Sequence, residues 1–542
     1  MTSLKTLIEQ ARDWINQDPD LETIAELEGL IDNSDEQGLS ERFGQRIGFG
    51  TAGLRGSLGA GPNRMNRVLV AQAAAGISKY LKENFDDPSV VIGFDARKNS
   101  DVFAKDSAEI FSGFGIRAYL FDQLAATPMV AYAVKSLGAS AGVMVTASHN
   151  PPGDNGYKVY DHTGSQIISP MDVEISKNIE VVAKSQLISK LVRGSDFLAV
   201  PASVQIGYLQ SVSGLLNKHA DRKNIKIVYS AMHGVGAKFI DEIFSLSGLE
   251  KLVHVQSQQQ PDGTFPAVAF PNPEEPGAMD QSLETARRNS ADLVLVNDPD
   301  ADRLAVAFLQ SDGTYAQLTG DQLGLLLGEE MAARAAREGL SGNLACSIVS
   351  SSALGKVAEH YGFGFQQTLT GFKWVSRVPN LIFGYEEALG YCVDCNQVRD
   401  KDGLSAALIV ADIASQLANQ GYTLGDQLDR LMQRYGYFST GQISIRVTDL
   451  NVISNLMSKL RNNPPAEIAG VSAEFEDMKQ GTKSLPGTDA LRFTLSDGRT
   501  VIIRPSGTEP KLKCYLQAVS ESETTSSKLL AELETAMRQL LV

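Results

Sequence analysis

From Val68 onward, short apolar β-branched runs alternate with stretches patterned for helix, and this alternation narrows the available folds more than any other feature. VLVAQAAAGISKYL reads as a helix, and Val90 to Phe94, just before D-A-R, reads as a buried strand. Ala118 to Phe121, Met129 to Ser136 and Ala141 to Val145 continue the alternation. Such a pattern implies βαβ units and a mostly parallel sheet. Sheets of that kind gather ligands at the loops after their strand ends. The loop after Val145 reads TASHNPPGDNGYKVY. A second block carries NIKIVYS into AMHGVG and a helix, then ADLVLV into NDPDADR and back through LAVAF. A third opens on TGDQLGLLLGEEMAARAAR, with Thr319 as the expected N-cap, and contains LTGFKW and GYEEALGY. The last hundred or so residues change style. GQISIRV, LRFTL, an Asp497-Gly498 hairpin signal, TVIIR, LKCYLQAV and a final helix predict an antiparallel α+β unit.

The chain has 542 residues, which at about 100–200 residues per domain calls for three or four domains. A formal net charge of -15 argues against a broad basic face for nucleic acid, so an anionic ligand would need a local basic pocket. Four cysteines make no disulfide framework, and Cys392 and Cys395 form a lone C-x-x-C without the second pair or histidines of a zinc site. Incidental thiols are the expectation there, with redox or metal chemistry as the alternative. MTSLKTLIEQARDWINQDP reads as an amphipathic helix rather than a signal peptide, and no apolar run reaches the roughly 18 residues of a membrane span. A cytoplasmic protein without a membrane partner is expected.

Three segments carry chemistry. Ser148 lies in T-A-S-H-N-P-P at a strand end, with Pro151 and Pro152 stiffening the exit. Alone, this is equally a polar turn with a capping serine, and it is not the G-x-S-x-G elbow of acyl hydrolases. Asp298, Asp300 and Asp302 alternate in D-P-D-A-D-R, which in an extended loop puts three carboxylates on one side. Converging carboxylates repel without a cation, and oxygen-only ligands select a hard ion such as Mg²⁺. The glycine and distal glutamate of an EF-hand are missing. R-P-S-G-T-E-P-K, from Arg504 to Lys511, offers a guanidinium, hydroxyls and a permissive glycine to a phosphate, and is not a Walker A loop.

Taken together and in this order, the segments resemble the signature loops of the α-D-phosphohexomutase superfamily, from about Gly48 to the C-terminus. T-A-S-H-N-P at 146–151 matches the phosphoserine loop, D-x-D-x-D-R at 298–303 the metal loop, and R-x-S-G-T-E-P at 504–510 the phosphate loop. G-Y-E-E-A-L-G at 384–390 corresponds to the sugar-binding loop, usually G-E-x-S-G. GTAGLRG, SAMHGVG, PNPEEP, NDPDADRLAVA, TLTGFKW and DKDG look most like the phosphopentomutase and glucose-1,6-bisphosphate synthase branch. Ala388 stands where hexose mutases carry a serine, and Pro505 is the common hexomutase choice.

The resemblance implies a phosphosugar mutase that works through phospho-Ser148 and a bisphosphate intermediate. It interconverts sugar 1- and 6-phosphates, or pentose 1- and 5-phosphates. Phosphoglucomutase activity heads the expectation, with phosphopentomutase and phosphomannomutase activity beside it. Ser148, His149, Lys158 and Arg55 are the implied catalytic group, with the base near Lys158. Asp298, Asp300, Asp302 and the Ser148 oxygen are the implied Mg²⁺ ligands. Arg303, Gly371, Lys373, Glu386 and Glu387 are implied to hold substrate, and Arg504, Ser506, Gly507 and Thr508 the unreacting phosphate. Glucose 1,6-bisphosphate is the implied activator, sugar phosphates are the only partners, and the chain is a monomer or dimer. The block layout predicts three consecutive mixed α/β domains (1–204, 205–316, 317–437) and an antiparallel α+β domain (438–542) around a central cleft. A metal-dependent phosphatase, a bisphosphate synthase and a silent phosphosugar sensor are the rivals. A pure sensor would need neither nucleophile nor metal triad.

Overall fold

The run SVVIGF forms the strand Ser89–Phe94, buried along all but its last residue, because β-branched side chains suit a sheet covered on both faces. In this computed structural model it pairs in parallel with Arg117–Leu120 on one side and Ala141–Val145 on the other. The structure describes residues 3–50, 53–216, 220–447, 449–481, 485–506 and 511–541. The helix Arg67–Asn84 packs against the helices Ser100–Gly113 and Met171–Ser185. Asn66 caps it by accepting from the Leu69 N–H at 3.0 Å. Val68, Leu69, Val70, Ile77 and Leu81 of this helix are all buried, each aliphatic side chain contributing about 1.5–3 kcal/mol.

The sequence pattern places DNGYKVYD in the loop after Val145, and the structure corrects this. The stretch is the strand Asp154–Asp161, antiparallel to Ala141–Val145 with Met144 opposite Lys158. All of its residues but the first are buried, so the polar-apolar alternation that marks a half-exposed strand is absent. Leu54–Ser57 adds to its far side and Leu198–Ala199 closes the opposite edge of the sheet.

The second sheet runs Tyr315–Gln317, Leu304–Leu309, Leu293–Asn297, Ile227–Ser230 and Val253–His254, parallel only across its last three strands. In the third block Gly364–Thr368, Asn343–Ser347 and Leu381–Glu386 pair in parallel. Thr319 caps the helix Gly320–Arg337 in a reciprocal capping box with Gln322, as its position before an apolar run predicts. The last sheet is antiparallel and ordered Tyr437–Arg446, Lys511–Ser520, Thr500–Pro505, Leu491–Leu495, Val471–Asp477, Glu467–Ile468. The expected hairpin at Asp497-Gly498 joins two of these strands, and Gly498 has a φ of 88°, which an L side chain would resist. Three mixed α/β sheets and an antiparallel C-terminal sheet are therefore the architecture that the sequence predicts.

The chain divides into two compact units, one of residues 1–317 with 390–419 and one of residues 318–389 with 420–542. The helix Gly403–Asn419 thus belongs with the earlier blocks, packing on the helices Ala202–Gly214 and Gly236–Leu246 and on Leu293–Asn297. Among the described residues, no helix is long and apolar enough to cross a membrane. The four cysteines are buried and form no disulfide. Burial, before the neighbouring Cys395, pushes the Cys392 thiol well up and keeps it protonated.

Candidate active site

The strand Ala141–Val145 delivers Ser148, which is buried and held at a φ of 52°. A left-handed conformation at a non-glycine residue costs of order 1–3 kcal/mol, so surrounding contacts must impose it. The Ser148 N–H donates to Thr146 Oγ1 at 2.8 Å, and the Ser148 hydroxyl donates to Asp298 Oδ2 at 2.7 Å. His149 Nδ1 lies 3.2 Å from the same hydroxyl. Burial, then the cations Arg303 and Arg55, hold the His149 imidazole well below its usual range, so it is neutral.

The strand Leu293–Asn297 ends in the Asp298–Asp302 loop, whose backbone is claimed from several directions. Pro299 O accepts from Val235 N, Asp300 O from Thr127 N and Ala301 O from Gly403 N, at 2.9, 3.0 and 3.1 Å. Ala301 is also left-handed, with a φ of 57°. Gly234 approaches so closely that a Cβ would lie 2.3 Å from the Pro299 Cα. The side chains of Asp298, Asp300 and Asp302 are fully or almost fully buried. Each offers an oxygen within 4.8 Å of the other two, the one such set of ligand groups among the described residues.

Three buried carboxylates need compensation, and the protein supplies part of it. Lys158 Nζ donates to Asp300 Oδ2 at 2.7 Å and to Asp302 Oδ2 at 2.9 Å. Thr127 Oγ1 donates to Asp300 Oδ2 at 2.5 Å, and Lys401 Nζ lies 3.2 Å from Asp302 Oδ2. Burial alone would lower the Lys158 pKa, but Asp300 and Asp302 outweigh it and the net shift is upward. Asp298, facing burial and two carboxylates with no lysine of its own, is pushed well up. Asp300 Oδ1 and Asp302 Oδ1 are buried with no hydrogen-bond partner. Buried acceptors without donors, in an all-oxygen set, fit a hard divalent cation.

Arg303 points its Nη1 at Glu274 from 3.6 Å and its Nε at Asp302 from 3.8 Å. Arg55 Nη1 donates to Asn150 Oδ1 at 3.2 Å, two residues beyond Ser148. The structure thus gathers Ser148, His149, Lys158, Arg55, Arg303 and the three aspartates around one buried point.

Profiles of the phosphoglucomutase/phosphomannomutase family match four consecutive stretches: α/β/α domain I over residues 46–186, domain II over 207–311, domain III over 319–435 and the C-terminal domain over 447–530. The chain belongs to this family. A probable phosphomannomutase of Haemophilus influenzae is 47% identical over 88% of the chain and 98% of its own length. A phosphopentomutase of Homo sapiens is 36% identical over 94% of the chain and 91% of its own length. A glucose 1,6-bisphosphate synthase of Homo sapiens is 34% identical over 96% and 91%. The α-D-phosphohexomutase resemblance stands, and the protein is an intramolecular phosphotransferase.

The other signature segments of this phosphomutase lie in its second unit. Gly371 N donates to Glu386 Oε1 at 2.6 Å. Glu387 Oε2 accepts from Ser347 and Ser350 at 3.2 and 3.1 Å. Lys373 folds back beneath Gly371, where a Cβ would meet its Cε at 3.1 Å. Arg504 is half-buried in the strand Thr500–Pro505, opposite Lys513, and Ser506 N donates to Lys511 O at 2.8 Å. Gly507 and Thr508 lie outside the described residues.

Sequence reasoning missed Thr127, Lys401 and Arg97. D-K-D-G was read as a branch marker only, although a lysine between two aspartates beside a helix start signals buried charge. The D-A-R triplet at the end of Ser89–Phe94 sits where α/β sheets place functional groups.

Proposed function

We propose that the chain interconverts sugar 1-phosphates and 6-phosphates by way of phospho-Ser148 and a sugar bisphosphate. Glucose phosphates are the principal substrates, and pentose and mannose phosphates are turned over by the same site. The observation that carries this reading is the Ser148 hydroxyl, 2.7 Å from Asp298 within a buried aspartate triad. The four-domain division given above is part of the proposal.

Asp298, Asp300, Asp302 and the Ser148 oxygen would hold Mg²⁺, which supplies Lewis-acid stabilisation of the serine oxygen as it leaves. The Ser148 Oγ–phosphorus bond breaks as a sugar hydroxyl oxygen bonds to phosphorus, and that hydroxyl loses its proton to a base. Lys158 is the proposed acceptor. Against burial, and with a smaller contribution from Asp400, its pKa is raised here chiefly by Asp300 and Asp302. Once their charge is committed to a cation, burial remains, and burial drives an amine toward its neutral form. Neutral His149 helps hold the Ser148 oxygen, and Arg55 and Arg303 neutralise charge on the transferring phosphoryl. Lys373, Glu386 and Glu387 would orient the sugar, while Arg504, Ser506, Gly507 and Thr508 grip the unreacting phosphate. Glucose 1,6-bisphosphate would prime the serine.

The relative named a glucose 1,6-bisphosphate synthase favours a second reading, net bisphosphate formation from a sugar monophosphate and a separate phosphoryl donor, for which an acyl phosphate serves as the probe. One panel separates the two. Glucose, mannose, ribose, deoxyribose and N-acetylglucosamine 1-phosphates are assayed with Mg²⁺ and catalytic glucose 1,6-bisphosphate. Isomer formation without net bisphosphate supports the mutase. Bisphosphate accumulation only when the acyl phosphate is added supports the synthase. Phosphate release without isomer would overturn both.

A further inference from the structure

Arg97 lies at the end of the strand Ser89–Phe94, with a side chain 1% exposed, and touches none of the atoms that the proposed chemistry changes. Its guanidinium instead binds the carbonyls of the serine loop. Nη2 donates to Ser148 O at 2.6 Å and Asn150 O at 2.5 Å, and Nη1 to Pro151 O at 2.8 Å and Asp154 O at 3.1 Å. Pro151 and Pro152 have no N–H to give, so this loop is poor in donors for its own carbonyls. One buried fork meets four of them.

Arg97 is itself fixed. Asp95 Oδ2 lies 3.5 Å from its Nε, and Asp95 Oδ1 accepts from Ser100 Oγ at 2.7 Å and from the Arg97 N–H at 3.0 Å. The Phe265 ring centre is 4.8 Å from the guanidinium carbon. The Ser148 N–H is held separately, by the Thr146 hydroxyl oxygen of its own loop at 2.8 Å. The Ser148 carbonyl is therefore held by the buried Arg97, itself fixed by Asp95, while the Ser148 N–H is held within the loop by Thr146.

We infer that Arg97, oriented by Asp95, is a positioning residue that locks Ser148 in its left-handed backbone and thereby aims the hydroxyl at Asp298. The inference rests on Ser148 being the phosphoryl carrier. Only a planar group with donors on two forked nitrogens can span four carbonyls, so lysine does not substitute.

The test compares wild type, Arg97→Lys, Arg97→Ala and Ser148→Ala in steady-state mutase assays, with thermal melts and intact mass after priming by glucose 1,6-bisphosphate. Misplacing a reacting group by about 1 Å costs roughly a hundredfold in rate, so kcat for both arginine variants falls by about that factor. KM stays within about threefold, because substrate contacts are untouched. Guanidinium ion at millimolar concentration restores part of kcat to Arg97→Ala and none to Arg97→Lys. A purely structural role would lower the melting temperature without this split or rescue. A kcat for Arg97→Lys near that of wild type overturns the inference. Where an arginine variant does not fold, Asp95→Asn replaces it, and an unchanged kcat there is equally fatal. Turnover persisting in Ser148→Ala would instead bring down the phosphoserine reading itself.

Discussion

The hydroxyl of Ser148 donates to Asp298 Oδ2 over 2.7 Å, although 150 residues of sequence separate the two. Asp298 is also the member of the triad that no lysine compensates, and its pKa is driven well up by burial and its two acidic neighbours. The serine therefore faces the carboxylate that most lacks positive charge.

Replacing that hydroxyl is the most direct check. Ser148→Ala should lower mutase turnover by about 10³ or more, since the phosphoryl carrier is gone. Stability should change by only about 1 kcal/mol, the net worth of one hydrogen bond. Mass spectrometry should find a phosphate adduct on the wild type and none on the variant. Turnover within tenfold of wild type would remove the proposed carrier.

Asp300 makes the metal question testable. Asp300→Asn removes one anion from the triad and should weaken Mg²⁺ binding and lower kcat by roughly a hundredfold. Wild-type protein at [Mg²⁺] a hundred times Kd should be stabilised by about 2.7 kcal/mol, visible as a rise in Tm, and the variant much less so. Chelation followed by Mg²⁺ addition should abolish and restore activity. Full activity in metal-free protein would contradict the assignment.

Asp402 offers a pH signature. It is buried and accepts from Tyr208 OH and from the N–H groups of Leu404 and Ser405. Burial pushes its pKa up from 3.8 to about 6. A carboxyl raised on folding favours the folded state fully below the unfolded value, and that contribution disappears as pH rises through the folded one. The loss amounts to about 3 kcal/mol between roughly pH 4 and pH 6. Asp402→Asn does not titrate, so its stability relative to wild type should climb across that window. Denaturant melts of both proteins from pH 4 to 7.5 check this, and a constant difference would refute it.

The proposed pentose tolerance rests on Ala388, which stands where the resemblance implies a serine in hexose mutases. Apolar sites reject an added or missing hydroxyl weakly, while sites built to bond one discriminate strongly. kcat/KM for ribose or deoxyribose 1-phosphate should therefore lie within about tenfold of glucose 1-phosphate, about 1.4 kcal/mol. Ala388→Ser should move the ratio toward glucose in a competition assay. A preference for glucose beyond about a hundredfold that the substitution leaves untouched would end the pentose-tolerant reading.

Local features were legible in the sequence because they follow local rules. Thr319 before an apolar helix, Asp497-Gly498 between two strands, and alternate aspartates after LVLV are each decided within a few residues. The strand Asp154–Asp161 was not legible, because both of its faces are buried and a lysine stands in its middle. Lys158 is tolerated there chiefly because of Asp300 and Asp302, more than 140 residues later. Arg97 was hidden for a related reason: its partners are carbonyls, which every residue has and which leave no mark in a sequence. The return of 390–419 to the earlier blocks is likewise a matter of tertiary packing that no periodicity announces.

That return also dictates an order of events during synthesis. A ribosome that has finished Gln317 has made both early sheets, yet the helix that covers Leu293–Asn297 and the lysine that reaches Asp302 are still to come. At about 5–20 residues per second, roughly 100 residues and 5–20 seconds separate the two. Throughout that interval the nascent chain carries an uncovered apolar flank and an acidic triad with Lys158 as its sole lysine partner. A chaperone that binds the growing chain should therefore let go only after Asn419 has cleared the exit tunnel.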